Sequence, residues 1–200
     1  MLELSLDSMP DEEVLAELKS HIDVRKYSKK YTRRARRGRR LVILDEKLVA
    51  NLLSEFVQTP PARDLLTRAF GAGRVHCVGA MAVTVNNTVH VRQQVHRDHS
   101  CGPGKTYTLA MHLDKQPLNT LFWDEDSDHH GAPSDVGRAL FLYDASQLHA
   151  GSGREVVSDG GEDSYRLFVN FADPADPCFA KMQRGQGLGV KRSYPAICFL

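Results

Sequence analysis

Apolar positions recur at helical spacing over the first seventy residues and then switch to alternation. Val14, Leu15 and Leu18 make a stripe behind Asp11-Glu12-Glu13, and Ser8 is placed to cap it. Acids in a first turn favour the positive end of the helix dipole, so a first helix is predicted to about Ile22. From Asp45 onwards Leu48, Val49, Leu52, Leu53, Phe56 and Val57 repeat at helical intervals and predict a second helix, ended by Thr59-Pro60-Pro61. A short third helix is predicted over 62–70, closed by Gly71-Ala72-Gly73. These apolar faces suit packing against a sheet.

From Val75 the period becomes two. Strands are predicted over 75–85, 88–98, 106–113, 118–123, 138–144, 147–150 and 164–171, with Asn86-Asn87 turning the first two into a hairpin. The polar stretch 124–137 is predicted as a loop, either a lid or a solvated connection. Short strands separated by turn signals predict a mainly β fold with N-terminal helices, a double-stranded β-helix or jelly roll. The chain reads as a single domain over 1–200: a helical N-terminal part at 1–74, a jelly-roll core at 75–172 and a C-terminal tail at 173–200. The tail is expected as irregular coil, with 194–200 as an edge strand.

Two hundred residues suit one domain with a sizeable core. No run approaches the ~20 apolar residues of a membrane span, and the first residues carry no secretory pattern. Cys77, Cys101, Cys178 and Cys198 form no CxxC and no framework spacing, which predicts reduced thiols in an intracellular compartment, cytoplasmic or nuclear. Charge is less even than the formal net of +1 suggests. Residues 25–40 hold ten Lys or Arg and no acid, leaving the remainder at about −9. Such a segment can dock on nucleic acid, serve as a nuclear address, meet an acidic partner, or simply lie solvated against its own acidic domain. It is expected as helix or exposed loop outside the catalytic core, so that deleting 1–40 spares the chemistry.

Candidate chemistry gathers in 89–98. Val89, Val91 and Val95 point one way there, and His90, Arg92, Gln94, His96 and Asp98 the other. His96 and Asp98 therefore share a side, just ahead of the Gly102-Pro103-Gly104 turn, and can reach one ion. His149 ends the apolar run 140–149, 53 residues after His96, and supplies a third donor. Two histidines and one carboxylate are the ligand set of non-haem Fe(II) oxygenases and leave coordination positions open. His112 and Asp114 are a second His-x-Asp pair, read instead as a core or rim histidine and its neighbour. Asp126, Asp128, His129 and His130 can bind metal by composition alone. Arg166 alternates against Tyr165, Leu167 and Val169, so it points inward, where a ligand carboxylate would be its partner. Gln94 and Arg92, inward with His96, orient a ligand or substrate or only line the cavity.

His96-x-Asp98, His149 and Arg166 together resemble the Fe(II)/2-oxoglutarate-dependent dioxygenases. The Gln94-x-His96-x-Asp98 context and Leu148-His149-Ala150-Gly151 are most similar to the phytanoyl-CoA/prolyl hydroxylase side of that superfamily. The resemblance covers roughly residues 75–175. It implies Fe(II) on His96, Asp98 and His149, with 2-oxoglutarate chelating the iron and placing its distal carboxylate on Arg166. It further implies O2 as oxidant and hydroxylation of a C–H bond in a small-molecule or protein substrate. One departure stands out: Arg166 lies 17 residues after His149, further than the family usually places it, because of the polar insert 154–163. Arg154 is thereby a rival anchor. Two other functions compete: an oxygenase directed at nucleic acid by the basic segment, and a non-enzymatic jelly-roll binding module. Against the first, Arg166-Leu167-Phe168-Val169-Asn170-Phe171 lacks the R-x-N-x-T-x-R pattern that marks nucleic-acid demethylases. A cupin-like barrel with another metal would usually cluster more histidines.

Overall fold

Alternation in the second half of the chain produces two antiparallel sheets. In the computed structural model the described residues are 2–3, 10–25, 32–36, 39–44, 46–71, 73–85, 94–98, 102–104, 106–113, 120–123, 134–136, 140–151, 164–180 and 196–199. In chain order the first elements are β1 (Leu2–Glu3), α1 (Glu12–Arg25), β2 (Thr32–Arg36), β3 (Arg39–Ile43), α2 (Glu46–Leu52), α3 (Ser54–Gln58) and α4 (Pro60–Phe70). Then come β4 (Gly73–Val85), β5 (Thr106–His112), β6 (Thr120–Phe122), β7 (Ser134–Val136), β8 (Leu140–Asp144), β9 (His149–Gly151), β10 (Ser164–Ala172) and β11 (Ala196–Phe199). The large sheet runs β1-β8-β5-β10-β4-β3-β2, with β11 also paired to β4, and the small one runs β7-β6-β9.

The phase of the large sheet decides what faces the site. On β10, β5 and β8 the residues Leu167, Val169, Phe171, Leu109, Met111, Leu140 and Leu142 belong to one buried cluster with Leu18, Ile22, Val49, Phe56, Leu65 and Leu66 of the helices. Each such side chain removed from water contributes about 1.5–3 kcal/mol, so the helices are bound to the sheet through this face. The alternate residues Ala110, Phe141, Tyr143 and the partly buried Phe168 form a second cluster with Phe122 of β6. Phe122 meets Phe141 and Tyr143 edge-on at 6.0 and 5.3 Å, which lays the small sheet over the inner face of the large one.

Several expectations change. The second helix breaks into α2 and α3, where the Ser54 hydroxyl donates to the Asn51 carbonyl and competes with the helical ladder. The prolines that end α3 also start α4, with Pro60 at its first turn, and Gly71 at φ 75° closes it by donating its N–H to Thr67. Of the basic segment, Arg25 ends α1, and the other described residues, 32–36 and 39–40, are strand rather than helix or loop. They belong to a β2–β3 ribbon whose Arg39–Ile43 strand pairs with Val85–Met81 of β4. Val42, fully buried in the helix-packed cluster, and the unpaired edge of β4 outweigh its arginines, so the N-terminal part is not wholly helical. The stretch 124–137 contains β7, which pairs with β6. Of the strand expected over 88–98, the described part is one isolated bridge at His96, while the Asn86-Asn87 turn lies outside the described residues. Cys178 is disulfide-bonded, so the expectation of reduced thiols, and the argument for compartment drawn from it, does not hold. Sequence spacing could not reveal a bridge that depends on which elements the fold brings together. The C-terminal edge strand appears as β11. Among the described residues no helix is long and apolar enough to cross a membrane.

Candidate metal centre

His96 and His149 face each other across an antiparallel bridge and exchange both backbone hydrogen bonds, at 3.0 and 2.9 Å. Each ring is then fixed in the same way. His96 Nδ1 lies 2.9 Å from the Gln94 carbonyl, and His149 Nδ1 lies 2.9 Å from the Gln147 carbonyl. A carbonyl only accepts, so Nδ1 carries the proton in both rings and the Nε2 lone pairs are left to point elsewhere. They point at Asp98: its Oδ1 is 3.6 Å from His96 Nε2 and 3.5 Å from His149 Nε2.

The other oxygen of Asp98 is occupied. Tyr143 Oη donates to Oδ2 at 2.7 Å, and Thr108 Oγ1 lies 3.3 Å away. Thr108 has a single hydroxyl proton and a nearer partner in Asn170 Oδ1 at 2.8 Å, so Tyr143 is the principal donor. The main chain is anchored as well. Asp98 N–H donates to the Ala145 carbonyl at 3.0 Å, and Arg97 Nη1 donates to the Ser146 carbonyl. The turn supplying those carbonyls is tied by Ser146 N–H to Asp144 Oδ1 at 2.8 Å and Ala145 N–H to the Thr106 carbonyl at 3.0 Å.

Burial alone would raise the pKa of Asp98. Hydrogen bonds with His149 and His96, the charge of His149 and the Tyr143 hydroxyl outweigh it and hold the carboxyl well below the usual range. Burial, with Asp98 adding to it, pushes the Tyr143 phenol well up, so it remains a donor. Asp98 is thus an anion whose free oxygen faces both Nε2 atoms, a position that a proton or a cation can fill. The three donor atoms lie within 4.8 Å of one another. Ligand atoms about 2.1 Å from one ion at right angles sit about 3 Å apart, so the site is slightly open and fits a transition metal.

Arg166 lies on the inner face of β10 and is 5 % exposed, as the alternation of its strand predicted. Asn170 and Thr108 occupy that face towards the metal centre. Gln94 is exposed, and what it gives to the centre is its carbonyl. His112 is buried at the register position opposite Arg166, away from the triad. Tyr143, Thr108 and Asn170 were not singled out from the sequence; the available signal was polar groups recurring on the inner phase of β5 and β10 and a tyrosine on that of β8. Arg92, Asp114, Arg154, Asp126, Asp128, His129 and His130 lie outside the described residues.

No protein-family profile matches the sequence. No curated protein matches it either. Solved structures do match the fold. SnoN, the non-haem α-ketoglutarate-dependent epimerase from nogalamycin biosynthesis, aligns with a TM-score of 0.61 at 14 % identity, over 94 % of this chain and 86 % of that one. AviO1 from Streptomyces viridochromogenes Tue57 aligns at 0.55 and 17 % identity, over 88 % and 89 %. HygX from Streptomyces hygroscopicus, crystallised with nickel, 2-oxoglutarate and hygromycin B bound, aligns at 0.56 and 8 % identity, over 82 % and 80 %. At such identities the likeness is one of fold.

Proposed function

We propose that this chain, which has the fold of the Fe(II)/2-oxoglutarate oxygenases, is itself an Fe(II)- and 2-oxoglutarate-dependent oxygenase of double-stranded β-helix architecture. It hydroxylates a C–H bond of a small-molecule or protein substrate, with O2 as oxidant. The observation that carries this reading is the convergence of His96 Nε2, His149 Nε2 and Asp98 Oδ1, with every other polar atom of the three side chains already hydrogen-bonded. Two histidines and one carboxylate on one side of an ion leave positions open, the arrangement of non-haem Fe(II) sites.

Bound iron would supply the activation of O2 that couples 2-oxoglutarate decarboxylation to substrate oxidation. The chain's own residues do the rest. The carbonyls of Gln94 and Gln147 hold both imidazoles in the tautomer that can ligate. Tyr143 occupies Asp98 Oδ2, which limits the carboxylate to one ligand atom. Arg166, buried on the same inner face, offers two parallel N–H donors to the distal carboxylate of the co-substrate. Phe122, Phe141 and Tyr143 exclude water from that face. Hydroxylation is favoured over halogenation because Asp98 fills the position a halide would need.

The test is anaerobic loading with Fe(II), then addition of 2-oxoglutarate and O2, with iron content and succinate release as readouts. One iron per chain and uncoupled succinate release are expected. His96→Ala should lose the iron while keeping the fold, and Arg166→Ala should keep the iron while raising the 2-oxoglutarate requirement about ten- to a hundredfold. Full iron loading in His96→Ala, or no succinate from the loaded wild type, would overturn the reading.

A further inference from the structure

His112 is the buried polar group of the inner face for which the proposed reaction has no use. It lies on β5 directly opposite Arg166 on β10, and the two are 3 % and 5 % exposed. Their neighbours Met111 and Leu167 belong to the helix-packed cluster, so His112 and Arg166 share the other side, which the small sheet covers. His112 Nε2 is buried with no hydrogen-bond partner among the described residues, and the ring lies 6.3 Å from that of Phe141. A buried nitrogen left unpaired is costly, and an apolar side chain would avoid the cost.

Burial, reinforced by the Arg166 charge, lowers the His112 pKa to about 3. The ring is therefore neutral and carries one N–H. Were Nε2 a bare lone pair, the guanidinium beside it, which has only donors, would be a ready partner; the unpaired Nε2 is instead accounted for as an N–H that needs an acceptor. Arg166 has no acceptor to give. Among the described residues nothing supplies that acceptor, and a bound ligand can.

We propose that His112 is a second anchor for 2-oxoglutarate, its Nε2–H donating to the same distal carboxylate that Arg166 holds. The proposal rests on the oxygenase reading above. Directly opposed residues on antiparallel strands have Cα atoms about 4.5–5.5 Å apart, so one carboxylate can take a hydrogen bond from each. A carboxylate oxygen accepts the N–H, and the charge of Arg166 is met by the ligand's own. His112 then selects for 2-oxo acids with a second carboxylate and is indifferent to those without one.

The test titrates 2-oxoglutarate, and separately 2-oxobutyrate, which lacks the distal carboxylate, into Zn(II)-loaded protein by calorimetry. His112→Leu should weaken 2-oxoglutarate binding by about tenfold or more while leaving Zn(II) and 2-oxobutyrate affinities unchanged. His112→Asn, which keeps an N–H donor, should recover part of the loss. Equal weakening of both oxo acids, or of neither, overturns the proposal. Loss of 2-oxoglutarate binding in Arg166→Ala with a silent His112→Leu overturns the role of His112 alone. Absence of 2-oxoglutarate binding to wild type overturns the oxygenase reading and this proposal with it. Should His112→Leu fail to fold, wild-type protein with 15N-labelled histidine decides: an imidazole N–H resonance must shift with 2-oxoglutarate and not with 2-oxobutyrate, and an unmoved resonance rules His112 out.

Discussion

The donors around Asp98 leave its Oδ1 no use except to meet His96 and His149. Tyr143 is the nearest of them at 2.7 Å, and its hydrogen bond fixes the direction of the carboxylate, while His149 and His96 do more to keep it charged. Partners of metal ligands typically govern 10- to 100-fold in metal affinity. Tyr143→Phe should therefore weaken Fe(II) binding by about that factor with little change in fold, measured by competition with a chelator; an unchanged affinity would show that the hydroxyl is incidental. His112 yields a second expectation, for stability. Its folded pKa of about 3 lies below the ordinary value of about 6.5. Below pH 6.5 the unfolded chain takes up a proton that the folded one refuses, so stability is full above that pH and falls as pH drops towards 3. Between pH 7 and pH 5 the loss from this residue is about 2 kcal/mol. Urea unfolding at the two pH values should show a drop in wild type that is smaller by about this amount in His112→Gln. Equal drops in both proteins would mean that His112 is solvated.

At the scale of elements, the β2–β3 ribbon is the feature with the largest consequence. Arg39–Ile43 is hydrogen-bonded to β4, which in turn carries β10 and Arg166. Deleting residues 1–40 removes β2, the start of β3, and the helix that contributes Leu18 and Ile22 to the core. It also bares a strand edge that pairs readily with other chains. That deletion should therefore lower the thermal midpoint strongly and promote aggregation, contrary to the expectation of a dispensable segment; a soluble truncation with an unchanged midpoint would refute the pairing. The same ribbon shows where sequence reading stops. Strands β5, β8 and β10 were legible as short apolar runs rich in strand-forming residues and bounded by turn signals, buried on both faces, and α1 and α4 because their apolar residues repeat at helical spacing. Arginine-rich β2 and polar β7 were not, since each is held by the edge it pairs with rather than by its own composition. The alternation of 89–98 placed His96 and Asp98 on one side, and the structure brings both to His149. The bond from Tyr143 to Asp98 spans 45 residues, and no local pattern encodes it.

Across the whole molecule, the metal centre joins the two sheets. His149 belongs to β9 of the small sheet, His96 is bridged to it, and Asp98 hydrogen-bonds to Tyr143 on β8 and Thr108 on β5 of the large one. Bound to one ion, the three donor atoms become a brace between the sheets. A ligand that binds only the folded state stabilises it by RT ln(1 + [L]/Kd), about 2.7 kcal/mol at a hundredfold excess over Kd. For a chain of this size each kcal/mol moves the midpoint by about 2–4 °C, so saturating Ni(II) or anaerobic Fe(II) should raise it by about 5–10 °C over chelator-treated protein. The shift should be absent in His149→Ala, whose loss removes the small sheet's share of the brace. A wild-type midpoint indifferent to metal, or an equal rise in His149→Ala, would mean that the ion binds elsewhere and that the two sheets are held by Phe122 and its neighbours alone.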